Sequence, residues 1–131
     1  MKLDRLTPML WTNNIKASIE FYQTILGFEL DEYNEEWKWC HMHKNKVNLM
    51  FVHRDAPSEN FDGVIKFTGS FYFYTEEVDE LWNALKTNTK VCYELGNFAH
   101  SMREFGVYDN NGYLLQFGRE LKEAEVIDEC D

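Results

Sequence analysis

Ile15-Lys16-Ala17-Ser18-Ile19-Glu20-Phe21-Tyr22-Gln23-Thr24-Ile25-Leu26-Gly27-Phe28 is the stretch on which the fold turns. Ile15, Ile19, Tyr22 and Leu26 lie 4, 3 and 4 residues apart, so the spacing predicts one apolar stripe along a packed helix. Gly27 is suited to the positive φ that ends a helix, and Asn13-Asn14 offers a side chain to the unpaired amides of its first turn. Ahead of that cap Thr7-Pro8-Met9-Leu10-Trp11 reads as a strand, and Phe28 opens the next one.

The same order returns downstream. Ser70-Phe71-Tyr72-Phe73-Tyr74 reads as a strand, Thr75 as a cap, and Val78, Leu81, Trp82 and Leu85 as a helical stripe. From Thr7 to Ile15 and from Ser70 to Val78 is 8 residues in both cases, so strand, cap and helix recur in register. Runs from Trp37 to Met42 and from Val47 to Val52 flank the polar link Lys44-Asn45-Lys46, which suits a hairpin. Later strand signals cover Lys90 to Leu95, Arg103 to Tyr108 and Tyr113 to Phe117, the last two joined by the turn Asp109-Asn110-Asn111-Gly112.

Each half thus holds one strand, one helix and about three further strands, too little to close a core alone. The expectation is an α+β protein in which two paired βαβββ modules form a curved mixed sheet, with helices outside and a concave ligand groove. Module one covers about 5–53 and module two about 68–121 of a single domain over 1–121, with the polar stretch 54 to 63 as the boundary. The acidic tail 122–131 is expected to fray or form one short helix, with no specific role.

The composition fits one compact domain: 131 residues, 44% hydrophobic, with Phe 10, Tyr 7 and Trp 4 supplying bulk for a core. A formal charge of −10 repels phosphate backbones, so nucleic acid is excluded as a partner. No apolar run reaches the roughly 18 residues of a membrane helix, and Met1-Lys2-Leu3-Asp4-Arg5 lacks the apolar stretch of a secretory signal. Cys40, Cys92 and Cys130 form no CxxC pair and read as reduced thiols, which points to the cytoplasm.

Two motifs carry a family resemblance. Ile15 to Tyr22 followed by Leu26-Gly27-Phe28, and Arg103-Glu104-Phe105 followed by Asp109-Asn110-Asn111-Gly112-Tyr113, resemble the first helix and the REF strand and turn of the vicinal oxygen chelate superfamily. That superfamily holds glyoxalase I, bleomycin resistance proteins and extradiol dioxygenases, and the sequence is closest in character to the bleomycin resistance proteins. It departs from the turn pattern at Asn110, where many members have proline. Metal-using members take ligands, usually His or Glu, from the first and last strand of each half. The resemblance places those four positions near Thr7, Met50, Ser70 and Gln116, and none of these offers an imidazole or carboxylate. The resemblance therefore implies no metal, no cofactor and no catalytic residue, and it implies a homodimer. Pro8 suits an edge or interface strand, because it cannot donate to a central ladder.

The remaining site candidates follow from strand alternation. Phe71 and Phe73 suit the helix side, which turns Tyr72 and Tyr74 toward the groove, where phenols stack on planar ligands. Trp37 and Trp39 alternate onto one face beside the acidic run Asp31 to Glu36, a setting suited to a flat cation. Met50 and Gln116 line the groove and Phe61 closes over it, while Arg103 facing inward would suit an anionic group, with Glu104 then facing the other way. His41 and His43 share a strand face and form the one alternative metal pair; His53 and His100 read as loop residues. Nucleophile elbows, phosphate loops and HExxH are absent. The sequence thus reads as a metal-independent small-molecule-binding protein that sequesters an aromatic ligand, cationic if the carboxylates take part. The alternative is a metal-dependent glyoxalase-like lyase/isomerase or dioxygenase with an atypical ligand set.

Overall fold

A computed structural model describes residues 1–54 and 61–128; Cys130 and most of the expected boundary stretch lie outside the described residues. The chain forms two compact units, Met1–Ile65 and Lys66–Asp131, each with the strand, helix and three-strand order of a βαβββ module.

Module one contains β1 (Met9–Thr12), α1 (Ile15–Glu20), β2 (Glu29–Asn34), β3 (Trp39–Lys44) and β4 (Val47–His53). Its sheet runs β1-β4-β3-β2, with β1 parallel to β4 and the other pairs antiparallel. Asn14 caps α1 by accepting from the Ala17 amide at 3.0 Å. Ser18 Oγ then donates to Thr12 Oγ1 at 2.8 Å, both residues fully buried, which fastens the helix to β1. The expected stripe holds at Ile15, Tyr22 and Leu26, whereas Ile19 is half-buried. Ser18 takes the inner position beside it because its hydroxyl has a buried partner. The helix widens into a π turn over Phe21–Ile25, and Gly27 follows at φ 76. Tyr22 ends in the core, its ring 5.4 Å from Phe28 and 5.0 Å from Phe51.

Strand alternation divides the sheet. Leu10, Thr12, Cys40, Met42, Leu49 and Phe51 are buried beneath α1. Met9, Trp11, Trp39, His41, His43, Asn48, Met50 and Val52 take the opposite, open face, through the register Met9↔Met50↔His41 and Trp11↔Val52↔Trp39. Trp37 departs from the expected strand. Lys38 has φ 51, so β3 starts only at Trp39; Trp37 sits on the preceding turn, 69% exposed, and does not share a face with Trp39.

Module two contains β5 (Phe71–Tyr74), α2 (Val78–Leu85), β6 (Lys90–Asn97), β7 (Met102–Tyr108) and β8 (Leu114–Glu120), in the sheet order β5-β8-β7-β6. β5 is parallel to β8. Val78 and Leu85 of α2 are buried, as are Phe105, Val107, Leu115 and Phe117 of the sheet. The Phe117 ring stacks 5.3 Å from Phe105 and 4.9 Å from Phe73. Thr75 accepts from the Glu77 amide at 3.2 Å just ahead of the helix, while Glu77 itself occupies the cap position. Asp109 Oδ1 accepts from the amides of Asn111 (2.8 Å) and Tyr113 (2.9 Å), so a carboxylate fixes the turn between β7 and β8.

Arg119 donates to both oxygens of Glu125 at 2.7 and 2.9 Å, and Asp128 accepts from the Asn97 amide at 2.7 Å while its own amide donates to the Asn97 carbonyl at 2.8 Å. These contacts strap residues 119–128 along the end of β6, which the acidic composition did not reveal. Pro8 lies just ahead of edge strand β1, and its carbonyl accepts from Met50 at 2.9 Å. Among the described residues no helix is long and apolar enough to cross a membrane.

Candidate functional site

The open face of module two is assembled by its ladder register. Tyr72 lies opposite Gln116 and Tyr74 opposite Gly118; Gly106 faces Gln116 and Glu104 faces Gly118; Tyr93 of β6 lies opposite Gly106. Three tyrosines, a glutamate and a glutamine therefore share one face, and two glycines lie among them.

The glycines make the arrangement possible by close approach. A Cβ on Gly106 would stand 2.4 Å from the Tyr93 ring, and one on Gly118 only 2.1 Å from Tyr72 Oη. Both phenols thus lie down across the backbone of their neighbours and reach Glu104.

Glu104 is 2% exposed and is the centre of the cluster. Its carboxylate accepts from Tyr72 Oη at 3.3 Å, from Tyr93 Oη, from His100 Nε2 and, at 3.5 Å, from Gln116 Nε2. Since a carboxylate only accepts, His100 carries its proton on Nε2. Gln116 Nε2 also donates to Tyr93 Oη at 2.8 Å, and Ser70 Oγ donates to Gln116 Oε1, which fixes the amide orientation. Burial, followed by the neighbouring Glu104 charge, pushes the Tyr72 phenol well above its ordinary range. Burial and the hydrogen bond to Glu104 do the same for Tyr93. At neutral pH both are donors, which is what a buried carboxylate requires.

The site candidates divide accordingly. Tyr72 and Gln116 belong to the cluster, and Tyr74 borders it, its ring 5.0 Å from that of Tyr72. Arg103 belongs to the opposite face. Its guanidinium donates to Asp79 of α2 at 2.8 and 2.9 Å and to Asn97 at 2.8 Å, and it holds the Asp79 carboxyl below the usual carboxylate range. Phe105 decides this, because its fully buried ring fixes the parity of β7 and sends Glu104, not Arg103, to the open face.

Trp39 and Met50 lie on the open face of module one. Phe61 is buried there against Trp11, ring centroids 5.0 Å apart, with the Arg54 guanidinium 4.4 Å above Trp11. Sequence reasoning missed Tyr93 and His100. The signal for Tyr93 is broken by bulges on both sides of it in β6, and His100 reaches Glu104 from the turn between β6 and β7.

The donor sets do not fit a divalent ion. β1 begins at Met9, not Thr7, so the residue facing Met50 is a second thioether, a soft and weak donor. In module two the pair is Ser70, a neutral hydroxyl, and Gln116, whose carbonyl oxygen already accepts from Ser70. His43 directs Nδ1 to Asp31 at 2.7 Å and Nε2 to Glu29 at 3.2 Å, while His41 pairs Nε2 with Asn48 at 2.9 Å and turns Nδ1 toward the same Asp31 carboxylate at 3.8 Å, so both imidazoles are engaged with neighbouring side chains. Among the described residues no group of three or more His, Cys, Asp or Glu is placed to hold a metal. His53 lines a cavity of about 280 Å³ in module one, together with Asn13, Lys16, Tyr33 and Lys38.

Solved structures share this architecture. A protein of unknown function from Agrobacterium tumefaciens str. C58 superposes with a TM-score of 0.72 at 17% identity, covering 92% of this chain and 97% of that one. A glyoxalase/bleomycin resistance protein/dioxygenase from Nocardioides gives 0.70 at 15% identity over 99% and 92%. Lactoylglutathione lyase from Agrobacterium tumefaciens gives 0.67 at 16% identity over 88% and 92%. At such identities the likeness is one of fold. No curated protein matches the sequence. The family model described as the Glyoxalase/Bleomycin resistance protein/Dioxygenase superfamily matches residues 2–117, nearly the whole chain, and the chain belongs to that superfamily.

Proposed function

We propose that this protein binds a small organic molecule on the open face of module two, without a metal ion and without turnover, in the manner of a sequestering protein. The observation that carries the reading is the pair Ser70 and Gln116, neutral side chains hydrogen-bonded to each other at the positions where the resemblance places the imidazole or carboxylate ligands of metal-using members. Phenol faces and edges offer stacking of roughly 0.5–1.5 kcal/mol per ring contact, enough for a planar guest to be held by several together. A homodimer in the cytoplasm, without nucleic-acid or membrane partners, completes the proposal; the −10 charge and the absence of a CxxC pair support it.

The test is binding by chelator-treated protein. Calorimetric titration with benzyl alcohol, benzylammonium and a bleomycin-type glycopeptide is expected to give saturable binding of at least one of them, unchanged by prior dialysis against a chelator. Stoichiometric Zn, Ni, Mn or Fe in the purified protein, with binding lost on its removal, would overturn the metal-independent reading and favour the lyase or dioxygenase alternative.

A further inference from the structure

The cluster around Glu104 is asymmetric in charge. Its carboxylate is almost wholly buried, yet both neighbouring arginines of the β7–β8 ladder are committed elsewhere, Arg103 to Asp79 and Arg119 to Glu125. Among the described residues, the basic side chain that meets Glu104 is His100. The two partners differ sharply in burial: the His100 side chain is 59% exposed and that of Glu104 3%.

His100 belongs to the four-residue connection between β6 and β7, outside the ladder. That turn is closed by the Ser101 amide on the Phe98 carbonyl at 3.0 Å, with Ser101 at φ 68. The imidazole lies over the Phe98 ring at 5.8 Å, and the Phe98 ring meets Tyr93 edge-on at 5.6 Å. Glu104, by contrast, is fixed by the sheet and by two phenols that can only donate to it. A buried anion walled by tyrosine rings is the chemistry that recognises an organic cation, through charge and ring faces together. The imidazole covering it is hinged on a turn, mostly in solvent, and makes one contact with the carboxylate that an N–H⁺ group of a ligand reproduces.

We propose that Glu104 is the subsite for the cationic group of the ligand, an ammonium or amidinium on an aromatic or apolar body, and that His100 is an internal stand-in which this group displaces. The body of the ligand lies along Tyr72 and Tyr74, the latter residue 78% exposed. The proposal rests on the small-molecule reading above and adds the charge of the guest and the residue that competes with it. It moves the cation site from the Trp37 and Trp39 region, where the sequence suggested it, to module two.

The experiment compares benzylammonium, benzyl alcohol and benzoate by calorimetry on the full chain, with NMR of the His100 ring. Wild-type protein is expected to prefer benzylammonium over benzyl alcohol by about tenfold and to reject benzoate, with the His100 signals moving toward those of a solvent-exposed imidazole on binding. His100→Ala, a change at an exposed turn, is expected to tighten benzylammonium several-fold and leave benzyl alcohol unchanged, because only the cation competes with the imidazole. Glu104→Gln is expected to abolish the preference. Equal affinity for benzylammonium and benzyl alcohol in wild type, or His100→Ala weakening benzylammonium, overturns the proposal while leaving small-molecule binding intact. Binding of none of the three probes by wild type or His100→Ala overturns both.

Discussion

Asp109 shows how much one side chain can determine. One carboxylate oxygen accepts two amides and shapes the turn between β7 and β8. Asp109→Ala is expected to lower stability by about 1–2 kcal/mol, read from the urea midpoint, and Asp109→Asn to recover most of it by keeping the acceptor. Tyr72 and Tyr93 act through ionisation. Both phenols are pushed above the ordinary value of 10.0 in the folded chain, so on raising the pH the unfolded chain releases its protons first and stability falls. Their contribution is complete below that value. Thermal midpoints from about pH 9 to about pH 11 should therefore decline, and Tyr72→Phe should make the decline shallower.

At the level of elements, the central strands of module two are matched to the rings that cross them. Gly118→Ala on β8 sets a methyl 2.1 Å from Tyr72 Oη and 2.9 Å from Glu104 Cβ, so the phenol must swing off Glu104. A loss of about 1–3 kcal/mol is expected, with the Tyr72 ring signals shifted in NMR spectra. The strap over β6 responds to acid. Hydrogen bonds from Arg119 and from the Lys122 amide hold the Glu125 carboxyl down to about 2, below its ordinary 4.5. The strap is thus stabilised above that ordinary value and loosens as the pH falls toward about 2. The protection factors of the Asn97 and Asp128 amides should fall over that interval, and Glu125→Gln should give the lower protection already at neutral pH. Elements also mark what a sequence conceals. The helices, the hairpin over Asn45 and the Asp109 turn have local signals, whereas the bulged β6 and the strap depend on contacts from Asn97 to Asp128 that no local pattern encodes.

For the whole molecule, the 8-residue repeat offset was sufficient to define two modules, because each must build its own strand, helix and sheet in the same order. The site was half legible. Alternation placed Tyr72 and Gln116, but the parity of β7 hinged on whether Arg103 or Glu104 followed Phe105 inward, and both choices are charged. The proposed homodimer is checked by sedimentation, where a species of about twice 15.7 kDa is expected and a 15.7 kDa species alone would refute it. The two recumbent phenols have an optical consequence. Rings pinned against chiral backbone at fixed angles should give intense, resolved dichroism in the tyrosine band of the near ultraviolet. That band becomes an intrinsic gauge of the surface: alanine at Gly106 or Gly118 should quench it while the far-ultraviolet spectrum, which counts strands, stays the same.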